Sequence, residues 1–452
     1  MTSSNRKAFR DITEGSTLKN ILYLALPMMV GTFLQDLFNI VDMIFIGRLG
    51  PAAISGIAIG GVLQGLLFTV ASGVSIGAVA VISRAYGARR YEDAERASIQ
   101  TVFIGFTLWF LALLFSKFFL TDAVSFLARE TAGTGYALEY TKIIFNWSFV
   151  IFLSFGLNFS LRGAGDTLTP VIIMGIASLV NIVLDPIFIY GLFGFPRMEV
   201  AGSALATVIA RGIGVILLLW RLFSGKLRLH FRQEDFRFDP KMTYRILKLG
   251  FFSMIQNLSR NISGIILMRL ASNFGTIVIA AYGIVLRVIL IAMMPGFGFG
   301  TAASTTVGQN LGAGKPKRSV ASAWLAVLLY EAVTAIFMLA FIFAGKGVLT
   351  IFTNSPEVIQ AGKRFLTIIG LQLPFMALAM TLSRALNGAG DTKNPMIATI
   401  VCTIGIRIAL ATYLSGQIGE LGLIWGIAIS QVVEALVITF VFLRGHWQRI
   451  RV

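Results

Sequence analysis

Five polar side chains stand at helical spacing within apolar stretches of the chain. Gln35, Asn39 and Asp42 are four and three residues apart, which places all three on one face of a helix. Asn181 and Asp185 are four residues apart in another apolar stretch and also share a face. Ionisable residues within membrane spans are costly and mark ion or substrate pathways by default. Two carboxylates with neighbouring amides are oxygen ligands for a proton or for a hard cation such as sodium.

Two prolines lie in the same stretches and predict where the helices bend. Pro186 directly follows Asp185, and because it lacks an N–H it frees the carbonyl oxygen of Ile182 one turn earlier. That carbonyl oxygen adds a ligand to the predicted oxygen cage. Pro27 lies within the first apolar stretch and is predicted to act as its hinge.

The chain contains an internal repeat with a displacement of 225 residues. The segment 161–170, LRGAGDTLTP, returns as 386–395, LNGAGDTKNP. The Gly-Ala-Gly-Asp-Thr element lacks the Lys-Ser/Thr tail of a phosphate-binding loop and follows a helix instead of a strand. We interpret it as a turn in which the glycines end one helix and an aspartate, Asp166 or Asp391, caps the next. Pro170 and Pro395 then fall in first turns, where proline is tolerated.

The repeat separates structural acids from functional ones. At the displacement of 225 residues, Asp42 is replaced by Leu267 and Asp185 by Leu410. A structural role should survive duplication in both halves, whereas these two acids occur only in the first. The pattern therefore favours an ion-coupling site in the first half. The alternative is that the acids pair with an intramembrane arginine or cap a helix break.

Composition indicates an all-α, polytopic membrane protein. Only 13% of the residues are charged, against roughly a quarter in soluble domains, and no charge occurs between Leu49 and Ser83. That run is long enough to cross a bilayer core of about 30 Å. Twelve helices are predicted, over residues 19–46, 52–86, 94–119, 135–161, 168–191, 200–223, 244–273, 278–310, 317–344, 356–384, 394–415 and 421–444.

The net charge of +17 reflects topology and does not indicate nucleic-acid binding. Lys and Arg collect in alternate loops and near the termini, which predicts that both termini are cytoplasmic. The basic positions are Arg6, Lys7, Arg10, Arg84, Arg89, Arg90, Arg96, Lys226, Arg228, Arg232, Arg237, Lys241, Arg245, Lys315, Lys317, Arg318, Arg444, Arg449 and Arg451.

An even number of spans separates equivalent points of the two halves, so the repeats are parallel and related by a pseudo-twofold along the membrane normal. We therefore predict two six-helix lobes, an N-terminal lobe (1–223) with the coupling site and a C-terminal lobe (244–452). A cytoplasmic linker (224–243) joins them.

Other residue types exclude several kinds of site. The single cysteine, Cys402, excludes an internal disulfide, and both histidines, His230 and His446, lie in basic stretches that offer no histidine metal site. We therefore expect no cofactor. Glu331 is a further candidate in the second half, because it is an acid within an apolar helix.

Several motifs together resemble the multidrug and toxic compound extrusion (MATE) family. They are Leu26-Pro-Met-Met29, Asp42 followed by Gly47 and Gly50, the segment 161–166, and Asn181-Ile-Val-Leu-Asp-Pro186, and they span essentially the whole chain. Acids confined to the first half are similar to the DinF-like branch, not the NorM-like one. The resemblance implies that Asp42, Asn181, Asp185 and Thr207 form the site for H⁺, or the metal site if the ion is Na⁺. It also implies that Tyr140 and Asn158, with Gln35 and Asn39, line the substrate cavity.

Three functions compete at this stage. The leading hypothesis is a secondary antiporter that exports amphipathic, often cationic organic compounds in exchange for H⁺ or Na⁺, by alternating access of two lobes. It predicts small-molecule substrates, contact with membrane lipid, a monomer, and the cytoplasmic membrane of a prokaryote. The alternative is a flippase for a lipid or lipid-linked saccharide, which would need a strongly cationic cavity. An intramembrane enzyme would need a carboxylate-rich metal motif or a large catalytic loop, and every loop is short.

Overall fold

The computed structural model describes residues 10–128, 132–232 and 235–450, and the regular secondary structure within these ranges is entirely helical. The first half contains Thr17–Gly47 (α1), Pro51–Gly87 (α2), Tyr91–Phe118 (α3), Leu120–Ala128 (α4), Thr134–Asn146 (α5), Phe149–Gly163 (α6), Leu168–Tyr190 (α7) and Glu199–Phe223 (α8). A short 3₁₀ turn, Leu192–Gly194, follows α7.

The second half repeats this order, except that a single helix takes the place of α5 and α6. It contains Pro240–Ser272 (α9), Thr276–Gly312 (α10), Pro316–Phe343 (α11), Gly345–Thr350 (α12), Pro356–Ala389 (α13), Lys393–Ile418 (α14) and Glu420–Leu443 (α15). Within α14, a π-helical segment, Val401–Ile406, separates two α-helical parts. A 3₁₀ turn, His446–Arg449, follows α15.

All twelve predicted helices have a counterpart among these elements. The predicted helix 135–161 differs, because it is divided into α5 and α6, whose axes are bent by 54° around Trp147. Ten helices of the described chain are long and apolar enough to cross a membrane, and the bent pair is an eleventh candidate. At 33 residues α9 is long enough, but Gln256, Arg260 and Asn261 make its middle less apolar. The chain is an all-α, multi-pass membrane protein.

The structure confirms the predicted turn in both copies. Gly165 and Gly390 have φ angles of 88° and 91°, in the left-handed region that favours glycine. Asp166 Oδ1 accepts a hydrogen bond from the N–H of Thr169 at 3.0 Å. Asp391 Oδ1 accepts one from the N–H of Asn394 at 3.3 Å. Each aspartate thus caps the following helix and is not available to a phosphate.

The chain divides into two compact units whose boundaries lie inside helices. Within the described ranges, unit 1 comprises residue 10 and residues 30–250, and unit 2 comprises residues 11–29 and 251–450. Both boundaries therefore differ from the predicted linker at 224–243, since α1 and α9 each contribute to both units. The basic termini, residues 1–9 and 451–452, with Arg6, Lys7 and Arg451, lie outside the described residues, so the predicted location of both termini stays a prediction.

The predicted linker, residues 224–243, makes hydrogen bonds with side chains of α3. Leu229 and Phe231 are fully buried, as are the α3 side chains Glu95 and Gln100. Glu95 Oε1 accepts a hydrogen bond from the N–H of His230 at 3.1 Å. Gln100 Oε1 accepts one from the N–H of Asp239 at 3.0 Å. The segment is thus packed into unit 1 as part of its structure.

Candidate functional site

Two carboxyl groups lie together inside unit 1. Asp42, on α1, and Asp185, on α7, are close enough for their side chains to share a hydrogen bond. Asn181, one turn before Asp185, donates from Nδ2 to Asp185 Oδ1 at 3.2 Å. Asp185 is fully buried, Asn181 is nearly so, and Asp42 is half-buried. The i, i+4 spacing on α7 and the last two turns of α1 thus bring three predicted residues together.

Each carboxyl group has one buried oxygen that no described residue supplies with a hydrogen. These oxygens are Asp42 Oδ1 and Asp185 Oδ2. Buried polar atoms are nearly always hydrogen-bonded, and two ionised carboxylates are acceptors only. A proton held between the groups satisfies both oxygens, and so does a bound cation. The arrangement can therefore bind and release one small positive charge.

Arg211, on α8, supplies a positive charge that the sequence-based prediction missed. Its guanidinium group interacts electrostatically with Asp42 and with Tyr140, and it lies over the ring of Phe68 at 5.1 Å from the ring centre. Two carboxylates and one guanidinium carry a formal charge of −1, which one bound proton would neutralise. The sequence contained a signal, because Arg211 is the single ionisable residue of α8 outside its first and last turns. Arg211 interacts electrostatically with Asp42, and the alternative in which the acids pair with an intramembrane arginine stays a prediction.

Tyr140 lies beside the same groups. Its hydroxyl donates to Gln64 Oε1, on α2, at 3.0 Å, and its electrostatic neighbours are Arg211, Asp42 and Asp185. Tyr140 is buried. Five helices, α1, α2, α5, α7 and α8, thus contribute to a small polar region. Gln64 was not predicted, since it stands alone in an apolar stretch without a helical partner.

Other predicted residues lie apart from the acid pair. Asn158 Nδ2 donates to the Ser154 carbonyl oxygen of its own helix at 2.6 Å. Asn39 is exposed and interacts with Asp36. Among the described residues, Gln35 and Thr207 form no hydrogen bond with the pair, although Thr207 precedes Arg211 by one turn and shares its face of α8.

The two predicted hinges and the second-half candidate occupy ordinary positions in their helices. α1 continues through Pro27 and α7 continues through Pro186. Glu331, on α11, is half-buried and forms no ion pair with a described residue. No group of three or more His, Cys, Asp or Glu side chains able to hold a metal ion occurs in the part of the chain that the structure describes.

Comparisons with known proteins identify the family. The family model MatE matches residues 27–187 and again residues 253–413, so the two matches reproduce the internal repeat. The probable multidrug resistance protein NorM of Thermotoga maritima is 30% identical, over 95% of this chain and 93% of that protein. The multidrug export protein MepA of Staphylococcus haemolyticus is 23% identical, over 95% of this chain and 94% of that protein.

A solved structure gives the same result. It is the structure of a multidrug resistance MATE family transporter of the MOP superfamily in its outward-facing conformation. That transporter is 25% identical in sequence, and its structure superposes with a TM-score of 0.87 over 96% of this chain and 97% of that chain. These relatives are transporters and not enzymes. With the family model matching both halves, a 30% identical relative over nearly the full length and an all-α membrane fold, this chain belongs to the MATE family of transporters.

Proposed function

We propose that this transporter is a multidrug efflux antiporter that exports amphipathic, often cationic organic compounds in exchange for a coupling ion. It acts as a monomer in the cytoplasmic membrane of a prokaryote, with both termini in the cytoplasm. The relatives named as multidrug proteins support efflux. The observation that carries the coupling is the pair of buried oxygens on Asp42 and Asp185 that no described donor reaches.

The coupling ion that fits this arrangement best is a proton. Asn181 turns its amide N–H toward Asp185, which is the orientation for a carboxylate and not for a cation ligand. Arg211 already provides one positive charge near Asp42, so one proton brings the formal charge of the site to zero. Na⁺ is the second candidate, because Asp42, Asn181, Asp185 and Thr207 carry oxygen atoms that suit it.

Exchange follows from competition for the same negative charge. The deprotonated pair attracts a cationic substrate, and a proton arriving from outside removes that charge and weakens the attraction. Binding of one ion thus opposes binding of the other, which is the coupling that antiport requires. Pro27, two residues before the boundary between the compact units, is proposed as the point at which α1 bends during this exchange.

The acids also suggest a branch of the family. Asp42 and Asp185 have no acidic counterpart at Leu267 and Leu410. We therefore propose that the chain belongs to the DinF-like branch of the family.

Efflux of ethidium from everted vesicles tests the proposal. Vesicles with wild type, Asp42→Asn or Asp122→Asn are energised by a pH gradient or by a sodium gradient. Asp122 is the matched control, because it is an exposed acid on the short helix α4. We expect efflux that follows the pH gradient, is slowed at least about tenfold by Asp42→Asn and is unchanged by Asp122→Asn. Efflux by Asp42→Asn at the wild-type rate would remove the acid pair from the mechanism.

A further inference from the structure

Unit 2 contains a buried cluster of charged side chains that the coupling site does not use. Arg260 Nη2, on α9, lies 2.8 Å from Glu434 Oε1, on α15. Arg407 Nη2, on α14, lies 3.9 Å from Glu434 Oε2. Glu434 is fully buried, whereas the side chains of Arg260 and Arg407 keep 34% and 13% of their surface exposed. One carboxylate therefore serves two guanidinium groups.

The remaining partners of this cluster are neutral. Arg407 Nε donates to Ser430 Oγ at 2.8 Å, and Arg407 Nη2 donates to Gln431 Oε1 at 3.1 Å. Thr399 donates from its hydroxyl to Glu434 Oε1 at 3.0 Å. The bonds to Ser430 and Gln431 orient Arg407 without cancelling the charge of its guanidinium group.

A third arginine has no such partner. Arg384, on α13, forms no hydrogen bond or ion pair with a described residue, and Arg260 repels it electrostatically. It is closely surrounded by protein atoms yet keeps part of its surface accessible, as side chains that line an internal space do. Three guanidinium groups with one carboxylate leave a formal charge of +2 among Arg260, Arg384, Arg407 and Glu434.

This charge lies deep within the helices. Arg407 is 14 residues from the start of α14 and 11 from its end, so it stands about 21 Å and 16 Å from the two ends. Uncompensated charges at that depth are expensive, and they face the bundle interior or a water-filled space. If the cluster served only to hold helices together, one arginine would be enough to neutralise the single carboxylate of Glu434.

Comparison of the two halves also separates the cluster from the shared fold. At the displacement of 225 residues, Arg260, Arg384 and Arg407 correspond to Gln35, Phe159 and Ile182. None of the three arginines is therefore needed by the repeat itself.

The π-helical segment immediately before Arg407 is another difference. Residues 176–181, the counterpart of Val401–Ile406, are ordinary α-helix. Short π segments are frequent at functional sites, where they redirect the side chains that follow.

We propose that Arg260, Arg384 and Arg407 form a binding site for the anionic group, a carboxylate or a phosphate, of an amphipathic substrate. Guanidinium groups match both oxyanions with paired N–H donors. The proposal rests on the proposed transport function and extends it, since it names a substrate class that the acid pair of unit 1 does not select. Zwitterionic and anionic amphiphiles are then substrates as well as cations.

The site is tested by comparing the binding of a ligand that carries a carboxylate with the binding of its methyl ester. The full-length purified protein, in phosphatidylcholine nanodiscs, is titrated with norfloxacin, which carries a carboxylate, and with its methyl ester, which does not. We expect wild type to bind the acid about tenfold more tightly than the ester. Arg384→Gln should bring this preference close to one, and because Arg384 makes no hydrogen bond, the variant should fold.

Control variants and a lipid arm complete the experiment. Arg364→Gln changes an arginine of the same helix that pairs with Glu420 at the surface, and it should retain the preference. Arg384→Lys, which keeps the charge, should retain part of it. If the native occupant is a lipid headgroup, phosphatidylglycerol in the nanodisc should weaken binding of the acid to wild type but not to Arg384→Gln.

Equal affinity of wild type for acid and ester would overturn the proposal, and so would a preference that Arg384→Gln leaves intact. Ethidium carries no anionic group, so gradient-driven ethidium efflux by wild type reports on the proposed function separately. Intact ethidium efflux together with equal affinities would refute the anion site alone.

Discussion

The shared hydrogen bond between Asp42 and Asp185 predicts that substitutions of the two acids are strongly non-additive. Each acid has one buried oxygen to which no described residue donates a hydrogen bond, and the two side chains are close enough to share a proton. Asn in place of either aspartate keeps the volume but removes the shared proton. Once the first substitution has removed that proton, the second has nothing further to remove.

The magnitude follows from the strength of a hydrogen bond to a charged group. Such a bond contributes about 1.5–3 kcal/mol, which corresponds to about 10- to 150-fold in rate or affinity. We expect Asp42→Asn and Asp185→Asn each to slow proton-driven efflux by this factor. The double variant should be no more than about twofold slower than the slower single variant.

The assay combines efflux rates with a count of protons. Ethidium efflux from everted vesicles is measured for both single variants, the double variant and wild type, each normalised to the amount of protein. Ethidium-induced proton release from purified protein in weak buffer is then counted with a pH indicator dye. We expect about one proton per ethidium for wild type and none for the variants. A double variant whose efflux is slowed by the product of the two single-variant factors would refute a shared proton.

Three other outcomes follow from contacts described by the structure. Gly202→Ala places a methyl group 2.6 Å from the main chain of α7. This overpacking should destabilise the protein by about 1–3 kcal/mol and lower its apparent melting temperature in detergent. Gly212→Ala, on the same helix with open space around it, should leave the melting temperature unchanged. Glu434→Gln removes the buried carboxylate that pairs with Arg260 and Arg407, and it should destabilise the protein by about 3–5 kcal/mol in thermal unfolding. Glu420→Gln, which breaks a surface ion pair, should change the stability by less than about 1 kcal/mol. Pro27→Ala should slow ethidium efflux severalfold without weakening ethidium binding, and unchanged turnover would contradict the proposed hinge.

Periodicity in the sequence was sufficient to predict the helices and their repeat. The apolar runs are long, and the two copies of Gly-Ala-Gly-Asp-Thr contain all the groups that form their turn. Asp166 reaches the N–H of Thr169 because the two are three residues apart. Local hydrogen bonds of this kind depend on spacing along the chain, so a sequence displays them directly.

The candidate site was harder to predict because it depends on which helix faces meet. Helical spacing places Asn39 and Asp42 on one face of α1, yet Asn39 is exposed, while Asp42 meets Asp185 on another helix. Gln64 was missed because no polar side chain stands one turn away from it, and Arg211 was missed although Thr207 lies one turn before it on α8. Their relevance comes from neighbours more than a hundred residues away, at Asp42 and Tyr140, and only tertiary packing brings these together.

The division of the chain within α1 has a consequence for biosynthesis. Ile12, Ile21, Leu24 and Ala25 belong to a buried cluster whose other members lie between Phe299 and Trp447. Residues 11–29 are therefore made well before the helices that cover them, and at about 5–20 residues per second the ribosome needs roughly 10–40 s to reach residue 251. During that interval the start of α1 waits in the membrane without its neighbours. A polypeptide limited to residues 244–452 would lack this part of its core.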